Sequence, residues 1–216
     1  MKRMSLLILA GVILLGGFAG ATYLYNQHQA EQRSALAKKH AKTLIRDYSP
    51  RTGSPDAKVT IVEFFDPACE TCKAFHPLVK GLLAQYPGKV NLVIRYAAFH
   101  RGSDYAVKVL EAARLQGKYW ETLEATLEAQ SAWASHGNPQ PERLWMRLGR
   151  TGLDFTQAKQ DMDSAEIARR LAQDTADVKA MRVNKTPTFF VNGKPLPRFG
   201  YAQLQQLVKS EVEANY

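Results

Sequence analysis

Val59-Thr60-Ile61-Val62-Glu63-Phe64-Phe65-Asp66-Pro67-Ala68-Cys69-Glu70-Thr71-Cys72 is the stretch on which the fold turns. Its first seven residues are β-branched or aromatic apart from Glu63, and a short apolar run of that kind is a buried strand. Asp66-Pro67 ends the strand. Apolar residues then recur at helical spacing over residues 69–85 (Phe75, Leu78, Val79, Leu82, Leu83), with Pro77 expected to kink the helix. Cys69 and Cys72 therefore stand where a strand passes into a helix. Cysteines three apart share one helix face, and the backbone N–H groups and dipole at a helix start favour a thiolate on the first of them. Cys69 is the expected attacking sulfur and Cys72 the resolving one.

Outward from this junction, residues 90–96 read as a second buried strand, giving strand, helix, strand. Amphipathic helical patterns follow over residues 103–116, 118–134, 141–148 and 164–181. Thr188-Phe189-Phe190-Val191 and Lys194-Pro195-Leu196 flank Asn192-Gly193, the favoured pair of a two-residue hairpin. A last helix covers residues 201–214. The expected fold class is α/β: a thioredoxin-like βαβ–ββα core with an inserted helical subdomain over about residues 103–183. In such a core Pro187, in Lys185-Thr186-Pro187-Thr188, is expected to be cis and to face the cysteines. The Thr186 backbone is then free to pair with an extended peptide.

The chain has 216 residues, 45% of them hydrophobic, so it has a real core to bury. Its two cysteines are too few for a disulfide scaffold. A zinc site would add His76 to the pair, but no fourth ligand is spaced nearby, so no metal is expected. A purely structural bridge across so short a loop would stabilise little. The net charge is +9, and many of the cations (Arg33, Lys38, Lys39, Lys42, Arg46, Arg51) fall in one segment before the first strand. RNA- and DNA-binding signatures are absent, so no nucleic-acid partner is expected.

Lys2 and Arg3 precede an apolar run over residues 6–25, long enough at roughly 20 residues to span a bilayer. Ala19-Gly20-Ala21 is a small-x-small cleavage site, yet the run continues past it to Tyr23 and Tyr25. The expectation is an uncleaved membrane anchor, the alternative a removed signal peptide. The chain thus divides into a signal or anchor (1–25), a polar basic linker (26–51) and a folded domain (52–216).

Three stretches resemble the DsbA-like thiol–disulfide oxidoreductases of bacterial envelopes, in the thioredoxin superfamily: residues 62–72, Gln116-Gly117-Lys118-Tyr119-Trp120, and Lys185-Thr186-Pro187-Thr188-Phe189-Phe190-Val191-Asn192-Gly193. The resemblance implies that Cys69 is the nucleophile, Cys72 the resolving thiol, Pro187 the cis-proline and Thr186 the residue before it. It also implies that Glu63 is a buried acid beneath the cysteines. It implies no cofactor, exported protein thiols as substrates, and a DsbB-like or DsbD-like redox partner in the inner membrane. The location implied is the periplasm, tethered by the amino-terminal helix or soluble after cleavage.

The chain departs from the strong oxidases between the cysteines, where Glu70-Thr71 replaces Pro-His. A negative neighbour disfavours ionisation of Cys69, so a mild oxidant is expected. A reductase using the same site and a non-catalytic tethered chaperone are the alternatives. His100 and His136 fall in loops with no evident partner.

Overall fold

In a computed structural model of the chain, residues 2–39, 41–135 and 137–216 are described; at residues 2–8, 10, 30, 33, 34, 36–39, 41 and 42 only the helical backbone is. His136 lies outside the described residues.

Helix α1 (Lys2–Lys39) is followed by the short α2 (Ala41–Leu44). Among the described residues no helix is long and apolar enough to cross a membrane. The start of the expected anchor, residues 1–8 and 10, falls outside the described side chains. The remaining elements are β1 (Arg51–Gly53), β2 (Val59–Phe65), α3 (Glu70–Gln85), β3 (Val90–Tyr96), α4 (Ser103–Leu115), α5 (Tyr119–Glu128), α6 (Gln130–Trp133), α7 (Phe155–Asp161), α8 (Ala165–Ala180), β4 (Thr188–Val191), β5 (Lys194–Pro195) and α9 (Tyr201–Asn215).

The sheet runs β1-β3-β2-β4-β5, with β2 and β3 parallel and every other pair antiparallel. Alternation along the central strand β2 sends its side chains to two cores. Ile61 and Phe65 join Ile94, Phe189, Phe75, Val79, Leu204 and Val208 on the face covered by α3 and α9. Val62 and Phe64 join Val93, Phe190, Val178 and Leu44 on the opposite face, against α8 and the chain that follows α1. This is the expected thioredoxin-like core with helices inserted between β3 and β4. The hairpin turns through Asn192 (φ 49°) and Gly193 (φ 77°), the left-handed pair that its sequence favours.

The helical insertion differs from its periodicity in detail. The pattern over residues 118–134 resolves into α5 and α6 with a break at Ala129. The Pro141–Arg147 segment winds as a 3-10 helix. The sequence reading passed over α7, which starts where the Asp154 side chain accepts from the N–H groups of Thr156 and Gln157.

One polar cluster lies inside the second core. Arg95, on β3 and wholly buried, donates from Nε and Nη2 to Asp174 (3.2 and 2.8 Å) and from Nη2 to Asp177 (2.5 Å), both on α8. Its Nη1 donates to the Thr43 carbonyl. Arg46 binds Asp177 in two-pronged fashion at 2.8 and 2.7 Å, and Tyr48 donates to Asp174 at 2.7 Å. Leu44, Arg46 and Tyr48 are thereby bound into the body of the fold. Removing one partner of a buried ion cluster strands the others. Arg95→Leu should therefore cost about 3–5 kcal/mol in urea unfolding, well above the usual effect of a surface substitution.

Candidate active site

The strand-to-helix junction owes its shape to backbone and side-chain bonds around Asp66. Cys69 N–H donates to the Asp66 carbonyl (3.0 Å), closing the turn that β2 makes before α3. The Asp66 side chain accepts from Ala68 N–H at 2.9 Å. Cys69 is the N-cap residue of α3, with φ −75° and ψ 117°. From the helical insertion, the buried Gln130 amide donates to the carbonyls of Pro67 (2.9 Å) and Cys69 (3.0 Å). Gln130 and Asp66 escaped the sequence reading: a glutamine on a helix and an aspartate ending a strand carry no local signal of a partner 61 or 37 residues away.

The two sulfurs are unlike. Cys69 is 6% exposed and Cys72 not at all. The Cys69 thiol donates to the Thr186 carbonyl at 3.3 Å, across the cis Thr186–Pro187 bond from the hairpin. The Cys72 sulfur accepts from Asp66 N–H at 3.5 Å. The Cys69 pKa is lowered from 9.0 to about 5, first by a hydrogen bond from Cys72. Burial opposes this, and the Thr186 side chain and the N–H groups of Cys72 and Thr71 reinforce it. Burial pushes the Cys72 thiol strongly upward, the Cys69 and Glu63 charges adding to it. The helix start and the partner thiol thus outweigh Glu70, an exposed residue at the first position of α3.

Glu63 lies in the middle of the central strand, with Ile94 on one side and Phe189 on the other. It is 2% exposed and its Oε1 has no hydrogen-bond partner. Burial raises its pKa from 4.5 to about 8, with a contribution from Cys69. The carboxyl is therefore neutral at pH 7 and close enough in pKa to move a proton. The structure brings Glu63, Cys69, Glu70, Thr71, Cys72, Thr186 and Pro187 to one place. His76 stays one turn beyond Cys72, in a groove with Lys73, Lys80 and Glu124. Among the described residues no cluster of His, Cys, Asp and Glu could hold a metal ion.

The family model described as thioredoxin matches residues 45–210. The chain belongs to the thioredoxin family. Within this family it is similar to a thioredoxin-like oxidoreductase from Silicibacter pomeroyi DSS-3. The identity is 32% and the TM-score 0.68, over 80% of this chain and 97% of that one. It is also similar to BdbD from Bacillus subtilis, at 25% identity and a TM-score of 0.68, over 76% and 93% of the two chains. The catalytic domain of Proteus mirabilis ScsC shares the fold at 23% identity and a TM-score of 0.67, over 84% and 98%. Among curated relatives, the Na(+)/H(+) antiporter NhaA of Herminiimonas arsenicoxydans is 31% identical over 144 residues, 67% of this chain. The chain spans only 22% of that antiporter's length, and 25% of NhaA 1 from Mycolicibacterium gilvum.

Two outcomes follow from the site's electrostatics. The thiolate absorbance of the reduced protein should titrate near pH 5, and Cys72→Ala should move that midpoint upward by removing the strongest bond to the thiolate. Glu63 is the opposite case. A carboxyl whose folded pKa is raised leaves full stability below about pH 4.5 and takes it away as the pH climbs to about 8. Glu63→Leu should accordingly stabilise the fold by about 3 kcal/mol at pH 7, measured by denaturant unfolding, while slowing disulfide exchange by about a hundredfold.

Proposed function

We propose that this protein is a thiol–disulfide oxidoreductase of the bacterial cell envelope that exchanges disulfides with exported protein thiols through Cys69 and Cys72. The observation that carries the reading is the asymmetry of the pair: a marginally exposed thiol at a helix start, against the carbonyl before a cis-proline, in front of a wholly buried one.

In the oxidising direction a substrate thiolate attacks Cys69 of the Cys69–Cys72 disulfide. The Cys69–Cys72 bond breaks, a mixed disulfide forms on Cys69, and Cys72 leaves as a thiolate. Its high proton affinity calls for a proton, which the neutral Glu63 carboxyl supplies. A second substrate thiolate then attacks its own half of the mixed disulfide and expels Cys69, which leaves readily as a stabilised thiolate. The substrate has lost two electrons and two protons: the enzyme holds Cys72 as a thiol and Cys69 as a thiolate, one of the protons restores Glu63 and the other goes to water. A DsbB-like partner in the inner membrane that takes those electrons closes the cycle; in the reverse direction a DsbD-like partner supplies them. The backbone of Thr186, just ahead of β4, would align an extended substrate peptide.

The oxidising strength proposed is intermediate. A Cys69 pKa of about 5 lies between about 7 for thioredoxin and about 3.5 for DsbA, and a lower thiol pKa favours the reduced enzyme. The location proposed is the periplasm, with the basic Lys2-Arg3 and the apolar run over residues 6–25 as anchor or export signal. The redox domain is best counted from about residue 43, since Leu44, Arg46 and Tyr48 are held by the body.

Equilibration with glutathione should give a potential between about −270 and −120 mV. The protein should also catalyse refolding of a reduced, disulfide-containing substrate, with Cys69→Ser inactive. Absence of catalysis in the wild-type protein rejects the enzyme. In cells, thiol trapping should find the pair mainly oxidised; a mainly reduced pair reverses the direction of electron flow.

A further inference from the structure

His100 was left without a partner by its sequence, and the structure gives it one. Asp66 is wholly buried, and its carboxylate gathers donors from two loops. One oxygen accepts from Ala68 N–H, at 2.9 Å, and from the Ser103 hydroxyl. The other accepts from the N–H groups of Phe99 (2.8 Å) and His100 (3.0 Å) and lies 2.8 Å from the His100 ring Nδ1. The turn that carries Cys69 and the loop before α4 are therefore fastened to the same carboxylate. Four donors other than the imidazole already satisfy Asp66, so hydrogen-bond satisfaction alone does not require a histidine at position 100. The ring is about one-third exposed, reachable by solvent protons, yet fixed by Asp66.

Among the described residues, the negative groups that act on His100 are Asp66 after β2, and Cys69 and Glu70 at the start of α3. Arg101 follows His100 in the same loop and Asp104 lies in the first turn of α4, while Pro139 and Pro141 pack against Gly102. Burial alone would drive the imidazole towards its neutral form, but Asp66, the Cys69 thiolate and Glu70 together raise its pKa above the ordinary value. A proton on the ring is favoured by a negative Cys69 sulfur, and the reverse holds to the same extent.

We propose that His100 is a positioning residue for the redox pair: an imidazolium held by Asp66 that offsets Glu70, stabilises the Cys69 thiolate, and couples the oxidising strength of the site to the protonation of the ring. The Glu70-Thr71 dipeptide brings no cation between the cysteines, and the loop before α4 supplies it from across the site. The proposal rests on Cys69 being the ionised sulfur of the pair, and its test does not require the protein to have a substrate.

The imidazole of His100 is to be titrated by NMR in the full chain, once with Cys69 and Cys72 reduced and once with them joined as a disulfide. His100 should hold its proton to higher pH in the reduced form. Identical titrations in the two redox states overturn the proposal. In parallel, His100→Gln should lower the fraction of Cys69 thiolate about tenfold on the acid side of its midpoint. The glutathione equilibrium should shift by the same factor towards the disulfide, about 30 mV more reducing. His100→Arg, which keeps a charge that does not titrate, should restore the thiolate and flatten the extra pH dependence. A folded His100→Gln protein with an unchanged Cys69 midpoint leaves His100 a structural residue and rejects the proposal. Should that variant fail to fold, the wild-type titrations decide alone. Lack of exchange activity in the wild type would sink the proposed function while leaving these titrations readable.

Discussion

A negative charge on the Cys69 sulfur, at a point where water has little access, is the condition around which the rest is arranged. Solvation by bulk water is largely lost there, so protein donors have to replace it. The Cys72 thiol, the Thr186 side chain and the first free N–H groups of α3 do so. They come from two pieces of the fold, α3 and the segment leading into β4. The N–H groups exist because β2 turns into a helix at Cys69, and Thr186 arrives because the hairpin strand β4 pairs with β2 on the side away from β3. Gln130 keeps the turn from drifting by binding its carbonyls from the helical insertion. The insertion is thus part of the redox site's support and not only a cover for the core.

Glu63 shows the same logic with the sign reversed. A carboxyl between Ile94 and Phe189, with one oxygen unpartnered, is a poor choice for stability alone. Its burial gives it a proton affinity between that of a surface acid and that of the buried Cys72 thiol. Local stability is given up where proton transfer needs it.

How much of this was legible beforehand depended on the range of the interaction. The Cys69–Cys72 pair at a strand-to-helix junction, the Asn192-Gly193 turn and the buried strand β2 are local patterns, and the fold class followed from them. Glu63 stood out because a carboxylate interrupts an apolar strand. Lost to a linear reading were the long-range bonds: Asp66 to the loop at 99–103, Gln130 to the active-site turn, Arg95 to Asp174 and Asp177. Glu70's adjacency to Cys69 is visible in sequence, whereas the hydrogen bonds that act on the same sulfur are not. α7 is short, and periodicity over seven residues does not separate such a piece from a loop.

The cluster around Arg95 has a mechanical side. The chain leaves α1 and is clamped at Thr43, Arg46 and Tyr48 before it reaches the sheet. A pull transmitted along α1, from whatever holds its far end, is therefore met by α8 and β3. The cis-proline segment is attached through β4, which lies beyond the central strand from β3. The clamp fixes where the chain enters the fold, but farther back Tyr25, Asn26 and Gln29 of α1 share a cavity with Lys185, Pro187 and Thr188, so the amino-terminal helix also bears directly on the cis-proline segment.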